Sequence, residues 1–301
     1  MEKQEQARSA ANGSRDATAG TMEASGQRRQ LKIGGMALEN GVMFQTASHW
    51  SMAVRDADGG ISVASGKKVS LGLSRFRRIP LLRGLVGLAE TALVLPRASA
   101  HGGRLPVMNR SPEVIASMIV SVVGAVAVKN PKRKLSPIVE ESLMAALAVL
   151  PSLVALRRSR ATEYHAAEHK SINAFEASGG LDADKARNAD AEHPRCGSNI
   201  IGPAVALMAI GNTLSQRALG RRSHIARLGV SVLSLSGAVE LVQWASRNPS
   251  SLWSKLLTRP GGELQHLVTT SEPTEDELAV GLAALRELLR LEGALETPPA
   301  P

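Results

Sequence analysis

The stretch YHAAEHKSINAFEA (164–177) lies between two pairs of apolar segments, and its conformation decides how those pairs are connected. We read it as a helix. With about 100° between successive residues, five polar side chains then share an arc of about 140°. They are His165, Glu168, His169, Asn173 and Glu176. The arc is rich in acceptors and carries no cation, as a divalent metal ion requires.

The other side of this helix carries small residues, namely Ala166, Ala167, Ser171 and Ala174. Such residues allow close packing against a neighbouring helix, so we expect a partner helix there. Lys170 also points away from the polar arc, at about 140° from His165.

A second group of candidate ligands follows at HPRCGSN (193–199). His193 and Cys196 have the spacing that lets two ligands from one tight turn reach a single ion, and Gly197 is expected to permit that turn. A thiolate with imidazoles predicts zinc as the cofactor, with iron as the alternative. The competing interpretation is that the histidines cap or pack and that Cys196 is a small buried apolar residue.

Composition favours a membrane over nucleic acid as the partner. The chain has 301 residues and a net charge of +9, and its positive excess lies between residues 66 and 134. Aromatic residues make up only 2% of the chain, too few for base-stacking platforms, so we expect anionic membrane lipid rather than nucleic acid. The single cysteine excludes an internal disulfide. Residues 1–30 are polar without a signal-peptide core, and we expect them to be disordered.

Residues 31–72 predict a small β-rich region. WSMAVR and ISVA flank DADGG, a hairpin signal. Before it, the paired glycines of IGGMALENGVM suggest a tight backbone turn that presents Glu39, although a plain surface turn is equally consistent with this pattern.

Four apolar segments predict helices at 112–128, 138–156, 200–214 and 225–245, with a weaker one at 79–95. They form two hairpins, turning at KNPKRK and SQRALGRRSH. We expect a mainly α, multi-pass or membrane-associated protein, the alternative being a buried soluble core. Lys and Arg near the helix ends slightly favour a cytoplasmic position for residues 161–199.

The C-terminal sequence predicts an amphipathic helix that docks on the protein itself. Thr274 and Glu277 form a capping-box pair. The apolar stripe that follows consists of Leu278, Leu282, Leu285, Leu288 and Leu289.

These patterns divide the chain into seven consecutive regions. They are a disordered N-terminus (1–30), the β-rich region (31–72), the basic segment with the first hairpin (73–160), the metal-site crossover (161–199), the second hairpin (200–247), a C-terminal segment with the amphipathic helix (248–291) and a tail (292–301).

The chain resembles the YqhQ family of bacterial membrane proteins, which contain a domain of unknown function and are often described as predicted metal-dependent enzymes. The resemblance rests on GGMALENGVM, MAVRDADG, IPLLRGLVGLAE, YHAAEHKSINAFEA, HPRCGSN and LQHLVTTSEP. It implies a multi-pass protein of the bacterial cell membrane. It also implies that the glycine-rich motif around Glu39 is a hallmark, together with the helix and the His-Pro-Arg-Cys-Gly turn.

Two functions fit these expectations. The first is a membrane-associated, metal-dependent hydrolase in which His165, His169 and either His193 or Cys196 bind zinc. Glu168 or Glu39 would then be the general base, and Arg195 or Lys170 would hold an anionic group of the substrate. The second is a scaffold or regulator of a membrane-protein partner, with a closed structural metal site.

Overall fold

The computed structural model describes residues 31–69, 71–73, 76–106, 111–130, 135–219 and 224–294. The predicted disordered N-terminus lies outside the described residues, as does the end of the predicted tail beyond residue 294. The mainly α fold class with a small N-terminal β region is confirmed.

The N-terminal region is a four-stranded antiparallel sheet in the order β1-β2-β3-β4. Its strands are β1 (Gly34–Ala37), β2 (Gly41–Gln45), β3 (His49–Arg55) and β4 (Ile61–Lys67). The predicted hairpin joins β3 to β4, where the Asp56 N–H donates to the Gly60 carbonyl at 2.9 Å and Gly59 adopts a φ of 86°. In this conformation glycine avoids the strain that a side chain would cause.

The predicted tight turn that presents Glu39 is present, but it lies after the paired glycines rather than at them. Gly34 and Gly35 lie inside β1, and the turn comes later, where the Leu38 N–H donates to the Gly41 carbonyl at 2.8 Å. The Asn40 side chain supports this turn by accepting from the Arg104 N–H at 3.0 Å and donating to the Gly102 carbonyl at 3.1 Å.

Helices α1 (Leu82–Ala92) and α2 (Leu95–Ala100) follow the sheet. Residues from one face of the sheet pack on the start and middle of α2 in a buried cluster, which contains Leu38, Met43, Trp50, Met52, Val54, Val94 and Ala98. The apolar residues on this face are therefore removed from water, which stabilises the sheet.

The predicted apolar hairpins form as two pairs of packed helices. The first pair is α3 (Pro112–Val128) and α4 (Pro137–Arg157), and the second is α7 (Ile201–Leu219) and α8 (His224–Arg247). Helices α3 and α4 each have a serine N-cap followed by proline at the first helical position, a combination that favours helix initiation.

Two of these helices are long and apolar enough to cross a bilayer, at Ile138–Arg157 and Leu228–Arg247. Only 6% and 28% of their apolar windows are buried within the protein. A core helix of a soluble protein would be mostly buried, whereas these two helices leave most of their apolar windows exposed. These exposed apolar helices indicate association with a membrane.

The middle and end of the chain form a closely packed unit around α5 (Ala161–Ser178). A short helix α6 (Ala183–Arg187) and the C-terminal helix α10 (Glu275–Leu291) pack on α5, and α10 also covers the sheet. The capping box forms at Thr274 and Glu277, and the predicted leucine stripe is buried. The prediction that this helix docks on the protein itself is confirmed.

The remaining elements bring the chain back towards α5. A 3₁₀ helix (Gly197–Ile200) leads into α7, and α9 (Leu252–Leu264) continues as a π-helix (Gln265–Thr269). The 3₁₀ helix packs against α9, and the π-helix packs against α4 and α5. Residues in and next to these two segments contribute to the site on α5.

Candidate metal centre

Helix α5 presents a polar face to the protein interior. The helix ends at Gly179, which adopts the left-handed conformation favoured by glycine at helix C-termini. Although His169 is 1% exposed and Glu168 is 5% exposed, both line a cavity. Because burying polar groups costs free energy unless they find partners, such a face indicates a specific role.

Two histidines of this face have the same hydrogen-bonding arrangement. His165 Nδ1 lies 2.9 Å from the Thr269 carbonyl oxygen, and His169 Nδ1 lies 2.6 Å from the Ala191 carbonyl oxygen. Since a carbonyl can only accept, each neutral ring carries its proton on Nδ1, which leaves Nε2 as an acceptor or a metal ligand. Histidines that bind metals are usually oriented in this way.

Cys196 completes a group of three potential ligands. Its Sγ lies 3.4 Å from His165 Nε2, and the ligand atoms of His165, His169 and Cys196 all lie within 4.8 Å of one another. A soft thiolate with two imidazole nitrogens suits zinc or iron better than magnesium or calcium. The chemistry of these donors therefore fits a transition metal.

The turn that carries Cys196 is held by hydrogen bonds. The Cys196 N–H donates to the His193 carbonyl at 3.1 Å, and the buried Asn199 amide donates to the Pro194 carbonyl at 2.9 Å. The expectation that Gly197 permits the turn is wrong, because its φ is not positive and a Cβ at this position would meet open space.

His193 lies beside the three-residue group rather than within it. Its ring centroid is 5.7 Å from that of His169, and its Nδ1 accepts from the Arg195 N–H at 3.2 Å. Its Nε2 is buried, makes no hydrogen bond within the described part of the chain and lies 3.7 Å from a Glu176 carboxylate oxygen. The His193 main-chain N–H donates to Gln265 Oε1 at 2.9 Å, which fixes the residue in place.

Glu168 is an acidic residue beside the three potential ligands. Its Oε2 lies 3.9 Å from His165 Nε2, and the carboxylate accepts no hydrogen bond from any described residue. Burial raises the pKa of Glu168, and positive charge on His165 or His193 would act in the opposite direction. A buried carboxylate of this kind gains from a nearby cation or proton.

Gly35 of β1 makes room for this carboxylate. A Cβ at Gly35 would overlap the Glu168 side chain, whereas a Cβ at Gly34 would only touch Gln45 Cγ at 3.9 Å. The paired glycines thus serve the site through the close approach of β1 to α5.

Two of the other candidate residues hold the structure around the centre. The Lys170 ammonium donates to the Arg187 carbonyl at 2.9 Å and pairs with Glu272 at 2.8 Å, away from the cavity. Asn173 donates to the Asp190 and Glu192 carbonyls at 2.8 and 2.9 Å. Asn173 therefore ties the segment before His193 to α5.

Glu176 and Arg195 form an ion pair at the C-terminal end of this face. Arg195 lines the cavity. Burial acts to raise the pKa of Glu176, but contacts with His193 and Arg195 outweigh it, so that the pKa is below its usual range.

Glu39 does not join this group. Its main-chain N–H donates to the Arg104 carbonyl at 2.8 Å, and its side chain lines a different cavity together with Arg104 and three further arginines. The structure thus brings together His165, Glu168, His169 and Cys196, and it places Glu39 apart from them.

The cavity at the candidate metal centre has a volume of about 570 Å³. The histidines, Glu168 and Cys196 form its polar part, and apolar side chains form much of the rest, including Leu95, Leu105, Val149, Leu153, Leu156 and Ile201. Val149, Leu153 and Leu156 belong to the candidate membrane span of α4. The polar centre is therefore combined with an apolar wall.

Sequence reasoning missed Gly35, Gln265 and Thr269. The sequence contains a signal for Gly35 in its paired glycines, but nothing in the local pattern shows that the partner is Glu168. Gln265 and Thr269 lie in LQHLVTTSEP, one of the segments that carry the family resemblance. The spacing of residues within this segment does not indicate a role for either of them.

The family model "Protein of unknown function (DUF1385)" matches residues 116–291. The chain belongs to this family. It is also 28% identical over 305 residues to "Uncharacterized protein YqhQ" of Bacillus subtilis (strain 168), covering 87% of this chain and 94% of that relative. The resemblance to the YqhQ family is thus confirmed. No solved structure matches the chain.

Proposed function

We propose that the protein is a membrane-associated, metal-dependent enzyme, a hydrolase, with zinc bound by His165, His169 and Cys196. The observation that carries this proposal is the arrangement of the two imidazoles. Both Nδ1–H groups are anchored on backbone carbonyls, and the ligand atoms lie within 4.8 Å of each other and of the thiol. Three protein ligands with a further position for water is the usual composition of a catalytic zinc site.

When bound, zinc supplies Lewis-acid chemistry and lowers the pKa of a coordinated water to about 7. Glu168 is the residue that accepts the proton of the attacking water. Its carboxylate is buried, faces the cavity and has no hydrogen bond to a described residue, so no existing contact must break before it takes a proton.

We assign to Arg195 the role of binding an anionic group of the substrate. It lines the cavity and is held by Glu176, so its guanidinium has a fixed position and free N–H donors. Lys170, the other candidate for this role, already pairs with Glu272 and donates a hydrogen bond to the Arg187 carbonyl.

The apolar wall supports a substrate with a hydrocarbon part. Phospholipids and isoprenoids have such a part and would reach the cavity from the bilayer, because the wall includes residues of a candidate span. We further propose that the centre faces the cytoplasm of a bacterial cell, on the distribution of Lys and Arg near the helix ends.

The second candidate is a closed structural site in a scaffold or regulator of a membrane-protein partner. It is favoured by the supply of a fourth donor, since Glu168 Oε2 is 3.9 Å from His165 Nε2 and the His193 ring is next to His169. A site filled by four protein ligands leaves no position for water.

Metal analysis of the full chain purified in detergent tests the proposed centre. We expect about one zinc or iron per chain, and a loss of at least tenfold in the His165→Ala/His169→Ala variant, because a single remaining thiolate binds a metal ion weakly. His266→Ala is the matched control, since its side chain is 72% exposed and lies outside the group. Equal metal content in all three proteins would refute the centre.

The variant Glu168→Gln distinguishes the enzyme proposal from the scaffold proposal. If Glu168 is a base and not a ligand, the variant keeps its metal and its thermal stability and loses turnover of lipid-ester substrates by about 10²-fold or more. Loss of metal in this variant would instead make Glu168 a ligand and favour the closed site.

A further inference from the structure

A second cavity, of about 540 Å³, lies where α4 ends and α5 begins. We call it the arginine pocket, because it is lined by Glu39, Arg104, Arg157, Arg158, Ser159 and Arg160. We infer that this pocket binds the phosphate group of a phosphodiester headgroup, and that its natural source is a membrane phospholipid. This inference does not depend on the metal centre.

Two of the arginines are fixed by the surrounding structure. Arg160 donates to the buried carboxylate of Glu277, whose other oxygen accepts from the Thr274 N–H at 2.9 Å. Arg157 Nη2 donates to the Leu267 carbonyl at 3.0 Å. Each of these bonds uses one part of a guanidinium and leaves the other N–H donors for a ligand.

The other two arginines are less engaged. The Arg104 guanidinium has no hydrogen-bond partner in the chain as far as it is described. Arg158 Nη2 is 3.8 Å from a Glu113 oxygen, which is beyond hydrogen-bonding distance, and its side chain is 58% exposed. The pocket therefore offers more cationic donors than its own acids use, and bidentate donation from arginine is well suited to phosphate oxygens.

The position in the fold indicates the source of the phosphate. The candidate span Ile138–Arg157 ends at the pocket, so its arginines lie where a spanning helix meets the headgroup layer. The pocket is also at the start of α5, where backbone N–H groups carry partial positive charge. These two features place positive charge at the depth of lipid phosphates.

Glu39 adds selectivity to the pocket. Its Oε1 is buried and accepts no hydrogen bond from a described residue. An unpartnered acceptor in a pocket lined by four arginines suits a headgroup that carries a hydroxyl or ammonium donor next to its phosphate. Glycerol and ethanolamine headgroups have such donors, whereas choline, with its quaternary ammonium, has none.

The arginine pocket and the cavity of the metal centre have neighbouring walls. Leu156 and Leu105 line the cavity, and the adjacent Arg157 and Arg104 line the pocket. A lipid whose phosphate lies in the pocket thus has apolar side chains of α4 beside it for its hydrocarbon part.

Calorimetric titration of the full chain in nonionic detergent tests this inference with three soluble probes. They are dihexanoyl phosphatidylglycerol, dihexanoyl phosphatidylcholine and glycerol 3-phosphate. We expect the glycerol lipid to bind more tightly than either of the others, and its affinity to fall as salt is raised. Equal affinity for the two lipids would overturn the role of Glu39. Tighter binding of glycerol 3-phosphate would overturn the membrane source.

The variant Arg104→Ala/Arg158→Ala removes the two less engaged guanidinium groups, so the fold should be retained. We expect at least tenfold weaker binding of dihexanoyl phosphatidylglycerol, since hydrogen bonds to charged groups are lost. Arg259→Ala is the control, because Arg259 is 78% exposed on α9 and outside the pocket. Unchanged affinity in the double variant, or an equal loss in Arg259→Ala, would overturn the inference.

Discussion

The two faces of α5 each meet a glycine from another element, but for different reasons. On the packing face, Gly281 of α10 comes so close that a Cβ there would lie 2.8 Å from Ser171 Oγ and 3.0 Å from the Ala167 carbonyl oxygen. On the cavity face, Gly35 of β1 leaves room for the end of the Glu168 side chain. The first glycine allows two backbones to approach, and the second gives space to the Glu168 carboxylate.

The two faces of α5 therefore differ in what an added side chain would displace, which is the backbone of α5 on one face and the Glu168 side chain on the other. A fixed backbone cannot move away from an added methyl group, whereas a carboxylate at the end of a flexible side chain can rotate. We therefore expect substitutions on the packing face to change mainly the free energy of unfolding, and substitutions on the cavity face also to change metal coordination at the proposed centre.

The largest expected effect on stability is at Gly281. The change Gly281→Ala pushes Ser171 and the Ala167 carbonyl of α5 away from α10. A comparison with Gly87→Ala isolates the cost of that displacement. Both are glycines inside helices, but a Cβ at Gly87 meets open space. We expect Gly281→Ala to be less stable than Gly87→Ala by roughly 1–3 kcal/mol, measured by thermal unfolding in detergent. Equal stabilities would show that α5 and α10 pack less closely than described.

A loss of stability within the same range, together with a change at the proposed metal centre, is expected for Gly35→Ala. The added methyl group would overlap Cγ, Cδ and Oε1 of the buried Glu168 side chain, so that side chain must move. The spectrum of the cobalt-substituted protein should therefore change, and stability should fall by roughly 1–3 kcal/mol. Gly34→Ala is the matched control, because its Cβ would meet only Gln45 at ordinary contact distance. If both variants have the spectrum of the unchanged protein, Glu168 is not beside the metal.

The smallest effect is expected at Glu176, near the end of the cavity face. Because its folded-state pKa is lowered, its contribution to stability is present at neutral pH and is lost as the pH falls through that pKa. The side chains of Glu176 and Arg195 are 27% and 40% exposed, so this contribution is below about 1 kcal/mol.

The measurement at Glu176 is thermal unfolding as the pH is lowered from 7 to about 3. Glu176→Gln should flatten the acid side of the curve slightly. Glu263→Gln, an exposed glutamate 3.8 Å from Arg259, should leave the curve unchanged. A steeper acid loss in Glu176→Gln would contradict the sign of the pKa shift.

Local patterns predicted the elements of this fold well. The serine and proline starts of the apolar helices, the hairpin at DADGG and the capping box at Thr274 all act within a few residues, so the sequence alone contains them. The small residues on one side of α5 also predicted a packed helix there, which is α10.

Non-local relations were predicted less well. The glycine pair at residues 34 and 35 predicts the turn at Glu39, which is present, but the glycines themselves lie in β1, where Gly35 leaves room for Glu168. The sequence offers Glu39 as an alternative to Glu168 for the general base, whereas the structure places Glu39 in a different cavity, which is lined by arginines.

The sequence by itself determined that His165, Glu168 and His169 share one face of α5, because helical periodicity fixes which neighbours along the chain lie side by side. Only the tertiary structure decided that Cys196, and not His193, approaches both rings most closely, and that the Thr269 and Ala191 carbonyls orient them. Those partners come from segments brought together by the packing of whole helices and strands, a relation that residue spacing does not contain.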